Sequence, residues 1–391
     1  GFDLMQACKE KRKPIKIAYL IDYIAAADAG TEKQLLEIID RLDRRIFEPL
    51  LICLMGTPWL ETSELPCKKY TLGYKGLLKK DIPKVVTRLK DILNNEDIDI
   101  LQTFFEDSIF IGFLGSLITP RRLVLVSSRR DMGLGDDNPW YHKLYKIMLP
   151  FLNRRFDTIV ANSQAVKTFV SSSEKTPSKH IAIIPNGISF PDDDTSIPQV
   201  FLDHKADIWF GMTANLKPVK RVDIFLQALS LLEKQKDVDF HAIILGDGKL
   251  RKNLREMSSS MGLSGRVHFM GSVENVYAYV RNIHVGVLCS DSEGLSNAIM
   301  EYMACGLPVV ATSAGGNVEL VDASNGIIVP PGDPHALCEA LYLLSRDDRL
   351  RREMGESSFK KISMFHTWDK VMQQWHELYL SLIESKGLLG Q

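Results

Sequence analysis

The sequence predicts an α/β protein built from two doubly wound domains, and three observations carry that prediction. The chain has 391 residues, long for one core and suited to two domains of roughly 180 residues each. Short apolar, β-branched runs alternate with segments of helical period, the pattern of parallel sheets covered by helices. The alternation then restarts after "PDDDTSIPQV" at 191–200, where prolines and an acid run oppose both helix and central strand.

Taken in order, the strands expected in the first half are 15–21, 47–54, 98–103, 123–127, 157–161 and 180–185. The second half repeats the scheme at 207–213, 240–245, 266–270, 284–289, 308–312 and 326–329. The expected boundaries are a first domain over 1–190, a linker over 191–200 and a second domain over 201–364. A last helix over 365–391 carries Trp368, Met372, Trp375 and Leu378 on one stripe. It either caps the second domain or crosses back to the first. In doubly wound sheets ligands lie beyond the carboxyl ends of the strands, so the cleft between two facing domains is the expected site.

Composition excludes several classes of function. Lys+Arg 48 against Asp+Glu 49 leaves no bulk attraction to nucleic acid, so anion binding has to be local. The six cysteines contain no C-x-x-C pair and most sit in apolar runs, which suits a reducing, cytoplasmic setting. The most apolar stretch, "IFIGFLGSLI" at 109–118, falls short of the ~20 residues that cross a bilayer. No secretory signal is expected. The nine histidines lack a catalytic context and are expected in core or surface positions, and no D-x-D pattern offers a metal site at the loops, "DSE" at 291–293 not being one.

The stretch "DSEGLSNAIMEYMACGLPVV" at 291–310 sets Glu293 before Gly294 on a strand-to-helix loop and Glu301 inside the helix that follows. Backbone N–H groups of such a loop can face an anion. With about 1.5 Å of rise per residue, a helix starting near Ser296 keeps Glu301 near the same end. Both acids can then address one ligand; spacing alone equally suits a bracing loop acid and a solvated helix residue. In "NLKPVKR" at 215–221, Lys217, Lys220 and Arg221 can neutralise a diphosphate, or can simply solvate a helix start. "LGDG" ends a strand with Gly246 and Gly248, where backbone can approach a ligand. Gly30 and Thr31 open a helix as an anion cradle, with Thr31 equally suited to an N-cap.

"EGLSNAIMEYMACGLPVVATSAGGNVELV" resembles the E-x7-E region of retaining glycosyltransferases of the GT-B fold, in the large family four. "AGTEKQLLEIIDRL", "ANSQAVKTFV", "IPNGI", "ANLKPVKRVDIFLQAL", "ILGDGKLRKNL" and "VPPGDPHAL" follow the order of that family over about residues 15–380. The resemblance implies two Rossmann-like domains, the first for the acceptor and the second for a nucleotide-sugar donor. It implies that Glu301 holds the ribose hydroxyls and that Glu293 lies by the transferred sugar. The backbone of Gly294, Leu295, Ser296 and Asn297 would meet the diphosphate, and that around Val273 the base. Lys220 matches the family's lysine, whereas Asn215 stands at its usual arginine, leaving open whether Lys217 supplies the second charge. Ala29 replaces one glycine of the cradle beside Gly30.

Many relatives carry a His after the strand that precedes "SSRRDMG". Here Arg129 or Arg130 replaces it, with Arg130 preferred as the catalytic residue beside Glu293 and Lys220. A guanidinium with pKa above about 12 acts by charge or orientation, not as a base. The implied reaction moves a sugar from a UDP- or GDP-sugar to a glycan or lipid-linked acceptor, with no cofactor and no metal. A GT-B-shaped epimerase and a non-catalytic nucleotide-sugar binding protein are the rivals. Residues 68–90 carry eight Lys/Arg and one acid beside an apolar stripe from Ile82 to Leu93. That stripe either packs on the sheet or rests on the inner face of an anionic membrane.

Overall fold

The computed structural model describes residues 13–26, 30–77, 79–132, 139–193, 196–235 and 237–388, with the side chains of 139–142 outside the description. The chain divides into two compact units. One runs to Asn186 and takes in the chain from Asp369 on; the other spans Gly187–Trp368.

The first unit holds strands β1 (Ile15–Ile21), β2 (Phe47–Cys53), β3 (Lys68–Thr71), β4 (Ile100–Phe104), β5 (Val124–Arg129), β6 (Thr158–Ala161) and β7 (Ile181–Ile183). They form one parallel sheet in the order β3-β2-β1-β4-β5-β6-β7. The second unit holds β8 (Ile208–Thr213), β9 (Phe240–Leu245), β10 (Val267–Gly271), β11 (Val285–Leu288), β12 (Val309–Thr312) and β13 (Gly326–Val329). Their parallel order is β10-β9-β8-β11-β12-β13. Each sheet grows outward from its first strand in both directions, so the switch points lie between β1 and β4 and between β8 and β11.

Burial on both faces explains why these strands read as apolar runs. In the second unit Phe210, Met212, Ala242 and Ile244 enter one core, while Trp209, Ile243 and Leu245 alternate into the other. β3 is an edge strand opening on Lys68 and Lys69, a sequence that alternation in apolar residues cannot flag. The stripe of the helix Ile82–Asn95 (Val85, Val86, Leu89, Ile92, Leu93) is buried in the first unit's core, so it packs on the sheet.

The expected linker at 191–200 is corrected by the division at Asn186/Gly187. Ile188 N donates to His366 O at 2.9 Å, Tyr277 Oη donates to Ser189 O at 2.5 Å, and Arg281 pairs with Asp192 at 3.2 Å. These contacts bind the segment to the second unit. The last helix is Trp368–Ser385 rather than a start at 365. Its buried face includes Val371, Met372, Trp375, His376 and Tyr379; the expected Leu378 is only half-buried.

Candidate active site

In the second unit the loops after β8 and β11 flank the switch point, and a charged pair joins them. Lys220 Nζ donates to Glu293 Oε1 at 2.5 Å, with side chains 24% and 10% exposed. Ser290 Oγ donates to the same oxygen at 2.5 Å, and Asp291 N bonds Val219 O at 2.9 Å. Glu293 is therefore aimed and largely desolvated, and its carboxylate is engaged through one oxygen. Arg221 is committed elsewhere: its guanidinium pairs with Asp223 at 2.9 Å and with Asp291 at 3.2 Å. Hydrogen bonds from Arg221 to those acids, Asp223 first, raise its pKa further. Lys217 and Asn215 stand exposed on the β8 loop.

The helix Asn297–Ala304 begins where the sequence places it, because Ser296 Oγ accepts from Ile299 N at 3.2 Å. Glu301, in its second turn, is 6% exposed, so a solvated role is excluded. Tyr302 fixes this helix to the sheet. Its phenol accepts from Thr213 N at 2.7 Å and donates to Val287 O at 3.1 Å, bridging β8 and β11.

Two backbone contacts complete the edge. Gly246 (φ +127) follows β9, and a Cβ there would stand 2.0 Å from Ala214 O. Gly315 (φ +50) follows β12, and a Cβ would stand 1.7 Å from Glu293 O, while Gly316 N donates to Gly294 O at 2.9 Å. Only glycine fits such approaches. Asn215, Lys217, Lys220, Gly246, Gly248, Val273, Gly294, Leu295, Ser296, Asn297, Glu293 and Glu301 thus all follow the carboxyl ends of β8 to β11. The Ser313–Gly316 loop is an addition, with paired glycines after a strand as its signal.

The first unit carries the remaining candidates. Gly30 is the first residue of the helix Gly30–Arg41, with nothing within 4 Å of a built Cβ. Thr31 consequently lies inside the first turn rather than at the cap, and Ala29 is outside the described residues. The two arginines separate cleanly. Arg129 is buried and bidentate to Glu174, at 3.2 and 2.8 Å, with Asn153 Oδ1 at 2.9 Å. Arg130 lacks a carboxylate partner among the described residues: it donates to Asn186 Oδ1, and its Nε is buried without a partner. Desolvation lowers its pKa to about 10, which leaves it cationic at neutral pH.

Asp22, an acid directly after β1, was not singled out by the sequence. Its Oδ1 accepts from Ser108 N at 3.0 Å and Ser108 Oγ at 2.6 Å, linking the loop after β1 to the first turn of the helix Glu106–Ile118 that follows β4. Burial raises its pKa to about 8, with Asp107 and Glu106 adding to the rise against the hydrogen bonds from Ser108. Tyr379 of the last helix donates to Gln102 Oε1 at 2.5 Å and meets Tyr19 Oη at 3.1 Å.

Two family models match the chain: Glycosyl transferases group 1 over residues 207–347 and Glycosyltransferase Family 4 over 29–190. An uncharacterized glycosyltransferase of Methanocaldococcus jannaschii is 30% identical over 58% of this chain and 60% of its own length. The chain therefore spans less than two thirds of that relative. N-acetyl-alpha-D-glucosaminyl L-malate synthase of Bacillus anthracis is 22% identical over 76% of this chain and 79% of its own length. Among solved structures, Anabaena HepE in complex with UDP superposes with a TM-score of 0.79 at 23% identity, covering 94% of this chain and all of that one. Motif order, two parallel sheets and family matches agree: the chain belongs to the group 1 glycosyltransferases, family four, and has their GT-B fold.

Proposed function

We propose that the protein is a retaining glycosyltransferase that moves a sugar from a nucleotide-sugar, a UDP-sugar first among candidates, to a glycan or lipid-linked acceptor. The observation that carries this reading is the Lys220–Glu293 pair across the β8/β11 switch point, with buried Glu301 on the adjoining helix. A carboxylate accepts two hydroxyl hydrogen bonds, which suits Glu301 to a ribose. Glu293 is assigned to the transferred sugar, where it orients hydroxyls and meets positive charge in the transition state. Engagement by Lys220 and Ser290 favours that electrostatic role over proton abstraction. Lys220, Lys217 and the amides from Gly294 to Asn297 are assigned to the leaving diphosphate, with Asn215 beside them. Gly246, Gly248 and the backbone near Val273 are assigned to the nucleoside.

Arg130, a cation without a carboxylate partner among the described residues, is assigned to anionic charge on the substrates, and Gly30 with Thr31 to the same purpose. Anabaena HepE was solved with UDP and with UDP-glucose, which supports a uridine nucleotide. No cofactor or metal takes part in the proposed transfer. No helix among the described residues is long and apolar enough to cross a membrane. With the 82–93 stripe packed inside, a contact with an anionic inner membrane face would rest on exposed Lys75, Lys79, Lys80, Lys84 and Arg88.

The test is incubation with nucleotide-sugar and an acceptor panel in EDTA, with the anomeric configuration of the product read by NMR. Acceptor-dependent product with the donor's configuration is expected. Inverted product overturns retention; an altered free sugar without acceptor points to an epimerase, and donor binding without turnover to a binding protein.

A further inference from the structure

Three histidines that the transfer does not use converge at the opposite, amino end of the second unit's sheet. His204 caps the short helix Gln199–Asp203, His241 is the second residue of β9, and His268 is the second residue of the edge strand β10. One ring nitrogen from each lies within 4.8 Å of the other two. His241 Nδ1 and His268 Nε2 are 2.8 Å apart, and the His204 ring centroid stands 4.4 Å from that of His268 and 5.1 Å from that of His241.

A tetrahedral zinc ion with bonds of about 2.0–2.1 Å sets its ligand nitrogens roughly 3.3 Å apart. Small ring rotations bridge that difference. His241 is buried, and His204 and His268 are half-exposed, so three protein ligands leave an open position for water. Trp209 stacks on His241 at 5.0 Å and packs against Phe201 at 4.6 Å, giving the site an apolar floor. Arg266, the nearby cation, is already paired with Asp239 at 2.7 Å and Glu233 at 3.3 Å.

We infer that His204, His241 and His268 form a site for a late first-row divalent cation, zinc foremost, that fastens the chain entering the second unit to its edge strand. Two of the rings are held in the metal-binding protonation state. Burial, reinforced by the neighbouring histidines, lowers His268 to about 4; burial, His204 and Arg266 lower His241. Both are neutral at pH 7, as ligation requires. Metal entry replaces the His241–His268 hydrogen bond: the ring that donates it moves its proton to the nitrogen turned away, where the accepting ring already carries its own. The five steps along the strand from His241 to Gly246, at about 3.3 Å each, put the site roughly 16 Å from the loops assigned to the donor. Its role is thus structural, and it is independent of the proposed transfer.

Protein freed of metal with EDTA is titrated with zinc chloride by calorimetry and with cobalt(II) by visible absorption. One equivalent is expected, with a tetrahedral cobalt spectrum and a rise in melting temperature on adding zinc. His204→Gln and His268→Gln should each weaken zinc binding at least about tenfold while leaving binding of the nucleotide-sugar unchanged. Because both rings are half-exposed, these variants keep the fold; melting without metal checks this. Absence of stoichiometric binding, or zinc affinity untouched by both substitutions, overturns the inference.

Discussion

Removing Lys220 separates bracing from chemistry. In Lys220→Ala, Glu293 keeps Ser290 Oγ alone, and its side chain is only 10% exposed. Leaving a largely buried acceptor short of its charged partner costs about 1–3 kcal/mol. The lysine's own 24% exposure puts the expectation near the middle of that range, about 2 kcal/mol. For a unit of this size that is about 4–8 °C in melting temperature. Glu293→Gln, which keeps an oxygen for Ser290 and frees a half-exposed ammonium, should cost about 1 kcal/mol. The double variant should cost less than the sum by about 1 kcal/mol, since neither charge is then stranded. Turnover should behave differently: loss of a donor to the leaving diphosphate lowers kcat about 10²–10³-fold, and the double variant should not regain it. Differential scanning fluorimetry with steady-state kinetics on the four proteins reads both. Additive melting shifts, or turnover restored in the double variant, would refute the reasoning.

Gly315→Ala should slow transfer at least about tenfold and weaken donor binding, because its Cβ would meet Glu293 O at 1.7 Å in a left-handed conformation; unaltered kinetics would show that the loop yields freely. Arg129→Ala should lower stability by about 3–5 kcal/mol by stranding buried Glu174, whereas Arg130→Ala should keep the melting temperature within a few degrees and lose about 10²-fold in turnover. The reverse pattern would exchange their roles. Asp22, with its pKa raised from 3.8 to about 8, favours folding as the neutral acid. Its contribution is complete below about pH 4 and is lost as pH rises through about 8, at up to about 1.4 kcal/mol per pH unit. Asp22→Asn retains an oxygen for Ser108 and should flatten that slope between pH 4 and 8; parallel melting curves for the two proteins would contradict the shift.

How far the sequence reveals the molecule depends on what each residue's signal measures. Central strands such as Phe240–Leu245 were legible because burial on both faces leaves an unbroken apolar run. Lys68–Thr71 was hidden, its edge position allowing charge. The acid run after Pro191 looked like a boundary, yet Arg281 and Tyr277 tie that segment to the second unit; only tertiary contacts reveal this. Glu293, Lys220 and Glu301 were singled out through motif order, while their burial and the Lys220–Glu293 pair required coordinates. Arg129 and Arg130 are neighbours in sequence and cannot be told apart there, but one is spent on Glu174 and the other is not. His204, His241 and His268 share no local spacing, so their convergence is a property of the fold alone.

The central claim, that the second unit holds a nucleotide-sugar through Glu301, is tested most directly by calorimetric titration of UDP-, GDP- and ADP-sugars into the wild-type protein and Glu301→Ala. One donor series is expected to bind the wild type, with the UDP-sugars foremost. The substitution should weaken that binding about 10–100-fold, the cost of roughly 1.5–3 kcal/mol for a charged acceptor lost from two hydroxyls. Binding of none of the three, or binding equally tight in Glu301→Ala with an unchanged fold, would contradict the account.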